Sequence, residues 1–185
     1  MRELVFSGFG GQGVLTAGLI ISQIALYKGK NATWMPAYGA AMRGGTANCT
    51  VKYGEEEIAN PGQQTPDLLL AMNTPAYLKF KDMVKPGGIV LVNSDMLTSD
   101  EKVKENVRIV KIPCNHLADE AKNPKGANIV MIGAIVHLLQ DFTEDEGING
   151  MNDMFRKKGK DKFENLNVAA FRKGYEYIKA ESQLV

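Results

Sequence analysis

Cysteine and histidine are both scarce in this chain of 185 residues, with two of each. Cys49 and Cys114 lie far apart, and no C-x-x-C or C-x-x-H spacing occurs. The sequence therefore offers no ligand set for an iron–sulfur cluster or a structural zinc. The two thiols read as reduced and buried, with a single disulfide formally open. Neither His116 nor His137 stands in a metal-ligand pattern, and His137 falls in apolar helical sequence, the place of a core or boundary residue. Charge of one sign is missing too: 22 basic against 21 acidic residues leave a net charge of +1. That balance removes any general argument for nucleic acid or membrane as a partner. The longest apolar stretch, Val14 to Tyr27, is too short for a membrane span. Met1-Arg2-Glu3 runs straight into Leu4-Val5-Phe6 without the pattern of a signal peptide, so the cytoplasm is the expected compartment.

What is present is a globular composition, with 44% hydrophobic and 23% charged residues. Short apolar runs alternate with helix-length segments, the pattern of an α/β protein. Strands are expected at Leu4–Ser7, Ala32–Met35, Thr46–Tyr53, Leu68–Met72, Ile89–Val92 and Val107–Ile112. Helices are expected at Gly13–Lys28, Thr74–Val84, Asn128–Leu139 and Asn167–Lys179. Thr74 with Pro75 reads as an N-cap and first helical residue. Thr143 with Glu146 reads as a capping box, although Gly147 and Gly150 weaken the helix it would open. Gly54-Glu55 should turn Thr46–Tyr53 back into Glu57–Ala59 as a hairpin. Arg156–Lys162 reads as a solvated loop. The expectation is one domain over residues 1–185, a three-layer sandwich whose mainly parallel, mixed sheet is covered by helices on both faces.

Gly8-Phe9-Gly10-Gly11-Gln12-Gly13 satisfies G-x-G-x-x-G between a strand and a helix. The helix would point unpaired N–H groups and its positive dipole end at an anion or cofactor. A dinucleotide site also requires an acid at the end of the second strand. Ala32-Thr33-Trp34-Met35-Pro36 holds none, and no basic residue for a 2′-phosphate replaces it. Anion or cofactor contact and a turn that merely packs both stay open.

A second constellation, Pro36-Ala37-Tyr38-Gly39 and Met42-Arg43-Gly44-Gly45-Thr46, follows the second strand. Small residues allow close approach to another surface, and Arg43 offers a planar fork suited to carboxylate or phosphate. Tyr38, Met42 and Arg43 are residue types enriched at interfaces. Pro36–Gly45 is therefore expected to be a docking loop, with an ordinary intrachain role for Arg43 as the alternative.

These two blocks, in order, resemble the γ subunits of 2-oxoacid:ferredoxin oxidoreductases. Further similarity lies at Pro66-Asp67, Met72-Asn73, Lys85-Pro86-Gly87-Gly88, Val92-Asn93, Asn128, Met131, Gly133, Asn167, Ala170 and Gly174, across nearly the whole chain. The block Met42-Arg43-Gly44-Gly45-Thr46-Ala47-Asn48-Cys49 is most similar to the 2-oxoglutarate branch. The resemblance implies an enzyme complex that converts a 2-oxoacid and coenzyme A to acyl-CoA and CO2 while reducing ferredoxin. It implies α and β subunits as partners, with a δ subunit as a further candidate, and thiamine diphosphate and iron–sulfur clusters held by those other chains. On this chain it marks Gly10, Gly11, Gln12, Gly13, Tyr38, Arg43, Gly44 and Gly45 as candidates near the coenzyme A route or a subunit interface. No catalytic residue is marked, and the isolated chain is expected to be inactive. Ala41 departs from the pattern, standing before Met42-Arg43 where many relatives carry an acid, so an acid-dependent role does not carry over to this position from the resemblance. The rival expectation is a free-standing Rossmann-like protein that binds a nucleotide or anion of its own.

Overall fold

The structure is a computed structural model that describes residues 1–38, 46–98 and 103–183. β1 (Arg2–Phe9) runs through its middle. Side chains alternate across a strand, so Leu4 and Phe6 enter one core and Val5 enters the other. All three are fully buried. The remaining strands are β2 (Asn31–Tyr38), β3 (Thr46–Gly54), β4 (Leu68–Ala71), β5 (Ile89–Asn93) and β6 (Arg108–Ile112). They form one six-stranded sheet in the order β2-β3-β1-β4-β5-β6. β1, β4, β5 and β6 are parallel, whereas β3 is antiparallel to both β1 and β2.

The expected mixed sheet is present, but its antiparallel strand pairs differently. β3 is joined to β2, from Asn31↔Gly54 to Tyr38↔Ala47, and not to Glu57–Ala59. Glu55, Glu56 and Glu57 are all exposed. Glu57 and Ala59 are exposed and only Ile58 is partly covered, so this segment has little apolar surface to set against the sheet. β2 is also longer than expected and carries Pro36 and Ala37 inside it, so the segment from Pro36 begins as strand. An edge strand accommodates a proline because its outer side needs no N–H donor.

Helices cover the two faces unequally. α1 (Val14–Tyr27), α3 (Cys114–Glu120), α4 (Ala127–Leu139), α5 (Glu144–Lys157) and α6 (Glu164–Ser182) pack on the face of Leu4 and Phe6. The other face carries α2 (Thr74–Phe80), over Val5, Leu69 and Val90. The N-cap of α2 is Asn73, whose side chain accepts the Ala76 N–H, so Thr74 is the first helical residue and not the cap. A single 3-10 turn, Lys81–Met83, follows it. α3 was not expected: at seven residues it is too short to show a helical period. The expected loop Arg156–Lys162 is shorter than that, because Arg156 and Lys157 end α5 and a 3-10 turn, Asp161–Phe163, overlaps its last residues.

The capping box at Thr143 and Glu146 is complete in both directions. Gly147 and Gly150 do not weaken α5 in the way their propensity suggests. A Cβ on Gly147 would lie 2.7 Å from the Phe171 ring, and one on Gly150 would lie 2.8 Å from the Ile24 backbone. Close packing offsets the helix propensity that glycine lacks.

Candidate functional site

The carboxyl ends of the parallel strands share one edge of the sheet. α1 leaves β1 on one face and α2 leaves β4 on the other, so a crevice is expected between those strand ends, where open α/β sheets take ligands. Here the chain fills the crevice itself. The Gln12 side-chain oxygen accepts the Phe9 N–H at 2.7 Å and an Asn73 amide N–H at 2.7 Å. Its amide nitrogen donates to the Met72 carbonyl at 3.3 Å. Gln12 thus ties the end of β1 to the end of β4 with all three of its contacts inside the protein.

Further carboxamides extend this belt. Asn93, at the end of β5, donates to the Met72 carbonyl at 3.4 Å and to the Asn115 side-chain oxygen at 2.8 Å. The Asp95 carboxylate accepts the N–H groups of Asn115 and His116 at 2.7 and 3.1 Å. On the far side of the glycine turn, Asn128 at the start of α4 donates to the Gly13 carbonyl at 3.2 Å. Asn73, Asn93 and Asn128 were matched to the γ-type pattern without a role. The signal that could have assigned one is visible: Asn73 and Asn93 each directly end a short apolar strand.

The glycines of the turn divide by geometry. Gly11 and Gly13 have φ of 96° and 72°, a region that costs other residues steric strain. Gly10 is not among the positive-φ residues, so the left-handed backbone of the turn lies at Gly11 and Gly13. A Cβ on Gly8 would lie 2.8 Å from the Gln12 oxygen, and one on Gly13 would lie 2.5 Å from the Asn128 amide. These glycines admit the protein's own carboxamides.

Beside the turn lies a depression of about 290 Å³ lined by Phe9, Gly10, Gly11, Gly13, Val14, Leu15, Thr16 and Ala47. The first turn of α1 contributes N–H groups without intrahelical acceptors, and it contains no acid. Such a surface suits a negatively charged group. The pairs Phe9↔Thr46 and Tyr38↔Ala47 bring the ends of β2 and β3 to the same rim. The side chain of Tyr38, and Gly39–Gly45 with Arg43, Gly44 and Gly45, lie outside the described residues. Of the candidate residues, the structure brings together Gly10, Gly11, Gln12 and Gly13, with the Tyr38 backbone at the neighbouring strand end.

Neither thiol is poised for chemistry. Cys49 is fully buried against the Val14 carbonyl, and burial pushes its thiol up to about 12. Burial also raises Cys114. Thiols in such surroundings are inert. Trp34 packs, and its indole N–H donates to the Leu15 carbonyl at 3.1 Å. His116 does have a carboxylate neighbour, Glu120, at 3.2 Å one helical turn on, but both side chains are exposed. Among the described residues no group of three His, Cys, Asp or Glu could hold a metal ion. Among them, too, no helix is long and apolar enough to cross a membrane.

A sequence model of the family described as "Pyruvate ferredoxin/flavodoxin oxidoreductase" matches residues 3–177. The chain belongs to this family. It is 38% identical over 180 residues to the 2-oxoglutarate synthase subunit KorC of Methanocaldococcus jannaschii, covering 96% of this chain and 94% of that one. It is 36% identical over 180 residues to the ketoisovalerate oxidoreductase subunit VorA of Methanothermobacter marburgensis. That alignment covers 94% of this chain but spans only 36% of the relative's length. Among solved structures, the γ subunit of a keto/oxoacid ferredoxin oxidoreductase from Geobacter sulfurreducens PCA superposes with a TM-score of 0.82 at 31% identity. The superposition covers 97% of this chain and 99% of that one. The resemblance to γ subunits of this enzyme class, and the α/β architecture read from the alternation of strand and helix segments, are borne out.

Proposed function

We propose that this chain is a single-domain γ subunit of a cytoplasmic complex that oxidatively decarboxylates 2-oxoglutarate. The complex joins the remaining acyl group to coenzyme A, releases CO2 and passes two electrons to ferredoxin. Thiamine diphosphate and the iron–sulfur clusters belong to partner α and β subunits, with a δ subunit as a further partner, so the isolated chain is inactive. Gly10, Gly11, Gln12, Gly13, Tyr38, Arg43, Gly44 and Gly45 serve the coenzyme A route or the subunit interface.

The observation that carries this reading is the position of Gln12. Its side chain occupies the crevice that a free-standing nucleotide binder would keep open. The sheet argues the same way. β3 lies between β1 and β2, so the strand that would bring a ribose-binding acid to the crevice is not adjacent to it.

Similarity to KorC along nearly the whole chain favours 2-oxoglutarate. A branched-chain 2-oxoacid is the second reading, because VorA is only slightly less similar. The test is ferredoxin reduction by the complex with 2-oxoglutarate, 2-oxoisovalerate and pyruvate in turn, each with coenzyme A. The highest kcat/KM with 2-oxoglutarate supports the proposal, and the highest with 2-oxoisovalerate replaces it with the branched-chain reading.

A further inference from the structure

Asn123 joins two segments that are far apart in the sequence. Its side-chain amide donates to the Leu166 carbonyl and to the Asn167 side-chain oxygen, both at 3.3 Å. The loop that leads into α4 therefore lies beside the start of α6. Asn128, in the first turn of α4, reaches the Gly13 carbonyl, so this surface continues the rim of the glycine turn. Phe163 and Leu166, one helical turn apart, are 44% and 39% exposed in it. Lys122 and Lys125 flank Asn123, while Lys158, Lys160 and Lys162 lead into Phe163, and all five are exposed.

The stability of this chain does not explain those lysines. Cations are unfavourable beside the positive end of a helix. Yet Lys125 stands just before α4, whose first turn holds no acid, and Lys160 and Lys162 stand just before α6. Neither helix has a side-chain cap. Glu164, the acid in the first turn of α6, is bound by Arg156. Asp161 is the other acid in these two segments. Among the described residues Lys122, Lys125, Lys158 and Lys160 have no carboxylate partner.

We propose that this surface docks an acidic segment of a neighbouring subunit, whose carboxylates meet the lysines and whose apolar side chains cover Phe163 and Leu166. This rests on the γ-subunit reading. The two apolar side chains select a protein over a free phosphate or another small anion, which would leave them in water. Aromatic anchors inside a charged rim are the pattern of a subunit contact. A second copy of this chain would set the same lysines against one another. A mobile electron carrier has no reason to dock here, because the γ-subunit reading places every redox centre on other chains.

The test is assembly of the reconstituted complex from wild-type chain and from two variants, with salt varied. Lys125→Glu/Lys160→Glu should weaken assembly at least about tenfold and reduce its salt dependence. The isolated double variant should be no less stable than wild type, because acids suit the starts of α4 and α6. Phe163→Ser should also weaken assembly at least about tenfold, although it supplies α6 with a favourable N-cap. Should either variant lose stability alone, acylation of the wild-type lysines decides: Lys125 and Lys160 should lose their reactivity in the complex, and equal reactivity overturns the inference. Wild-type affinity and salt dependence in both variants overturn it and leave the γ-subunit reading intact. Unchanged assembly with a raised KM for ferredoxin overturns it too, since the surface then serves the electron carrier. Absence of any assembly by the wild-type chain overturns both.

Discussion

Gly133 of α4 and Gly174 of α6 meet at a helix crossing where backbone touches backbone. A Cβ on Gly133 would lie 1.9 Å from the Phe171 carbonyl oxygen, and one on Gly174 would lie 1.8 Å from that of Val130. No rotamer relieves such a contact, because the obstacle is main chain on both sides. The crossing places Phe171, fully buried, over the centre of the larger core.

Gly133→Ala and Gly174→Ala should therefore each destabilise the chain by at least about 2 kcal/mol, through overpacking that forces the helices apart. Equilibrium urea unfolding measures this. Wild-type stability in either variant would show that the helices separate without loss.

The glycine turn should respond unevenly. Gly13→Ala combines a positive φ with a collision at Asn128 and should cost at least about 2 kcal/mol. Gly11→Ala shares the positive φ but meets open space, so it should lose less, about 1 kcal/mol. Equal losses in thermal melts of the two variants would contradict this assignment.

Gln12→Ala leaves the Phe9 N–H and the Asn73 amide without their acceptor and should cost about 1–3 kcal/mol. Gln12→Glu restores the acceptor but sets a carboxylate oxygen against the Met72 carbonyl, so it should rescue only part of the loss. Full rescue in urea titrations would mean that the Met72 contact contributes nothing.

At the opposite edge of the sheet, Asp67 is nearly buried, where it accepts the Glu3 N–H at 2.8 Å and pairs with Lys85 and Arg2. Burial alone would raise its carboxyl, but the Lys85 and Glu3 hydrogen bonds outweigh it and hold the group below the ordinary value. A depressed folded-state value means that the unfolded chain binds the proton more readily. The resulting stability is present at neutral pH and is lost as the pH falls through the ordinary carboxylate range, about 4, and below. Asp67→Asn should lower stability at pH 7 by about 1–3 kcal/mol and flatten its fall toward acid pH. Parallel acid-denaturation slopes in wild type and variant would refute the assignment.

Much of this was legible in the sequence, and the gaps have physical causes. Periodicity placed α1, α4 and α6 because long helices repeat their apolar face several times. The Thr143 and Glu146 box was legible because capping is local. Strand order was not. Nothing in the alternation of Thr46–Tyr53 distinguishes pairing with the strand before it from pairing with a segment after it. The role of Gln12 was hidden for a related reason. G-x-G-x-x-G reports only that the backbone turns tightly, while the groups filling the turn, Asn73 and Asn128, come from remote parts of the chain. The blocks resembling γ subunits carried the functional expectation that periodicity could not.

The most direct test of the central claim compares the purified chain, alone and reconstituted with its partner subunits, in ferredoxin reduction dependent on a 2-oxoacid and coenzyme A. The account predicts a colourless, inactive isolated chain, and activity only in a complex whose other subunits bring thiamine diphosphate and iron. Turnover by the isolated chain, or an active complex that neither contains nor requires it, would contradict the account.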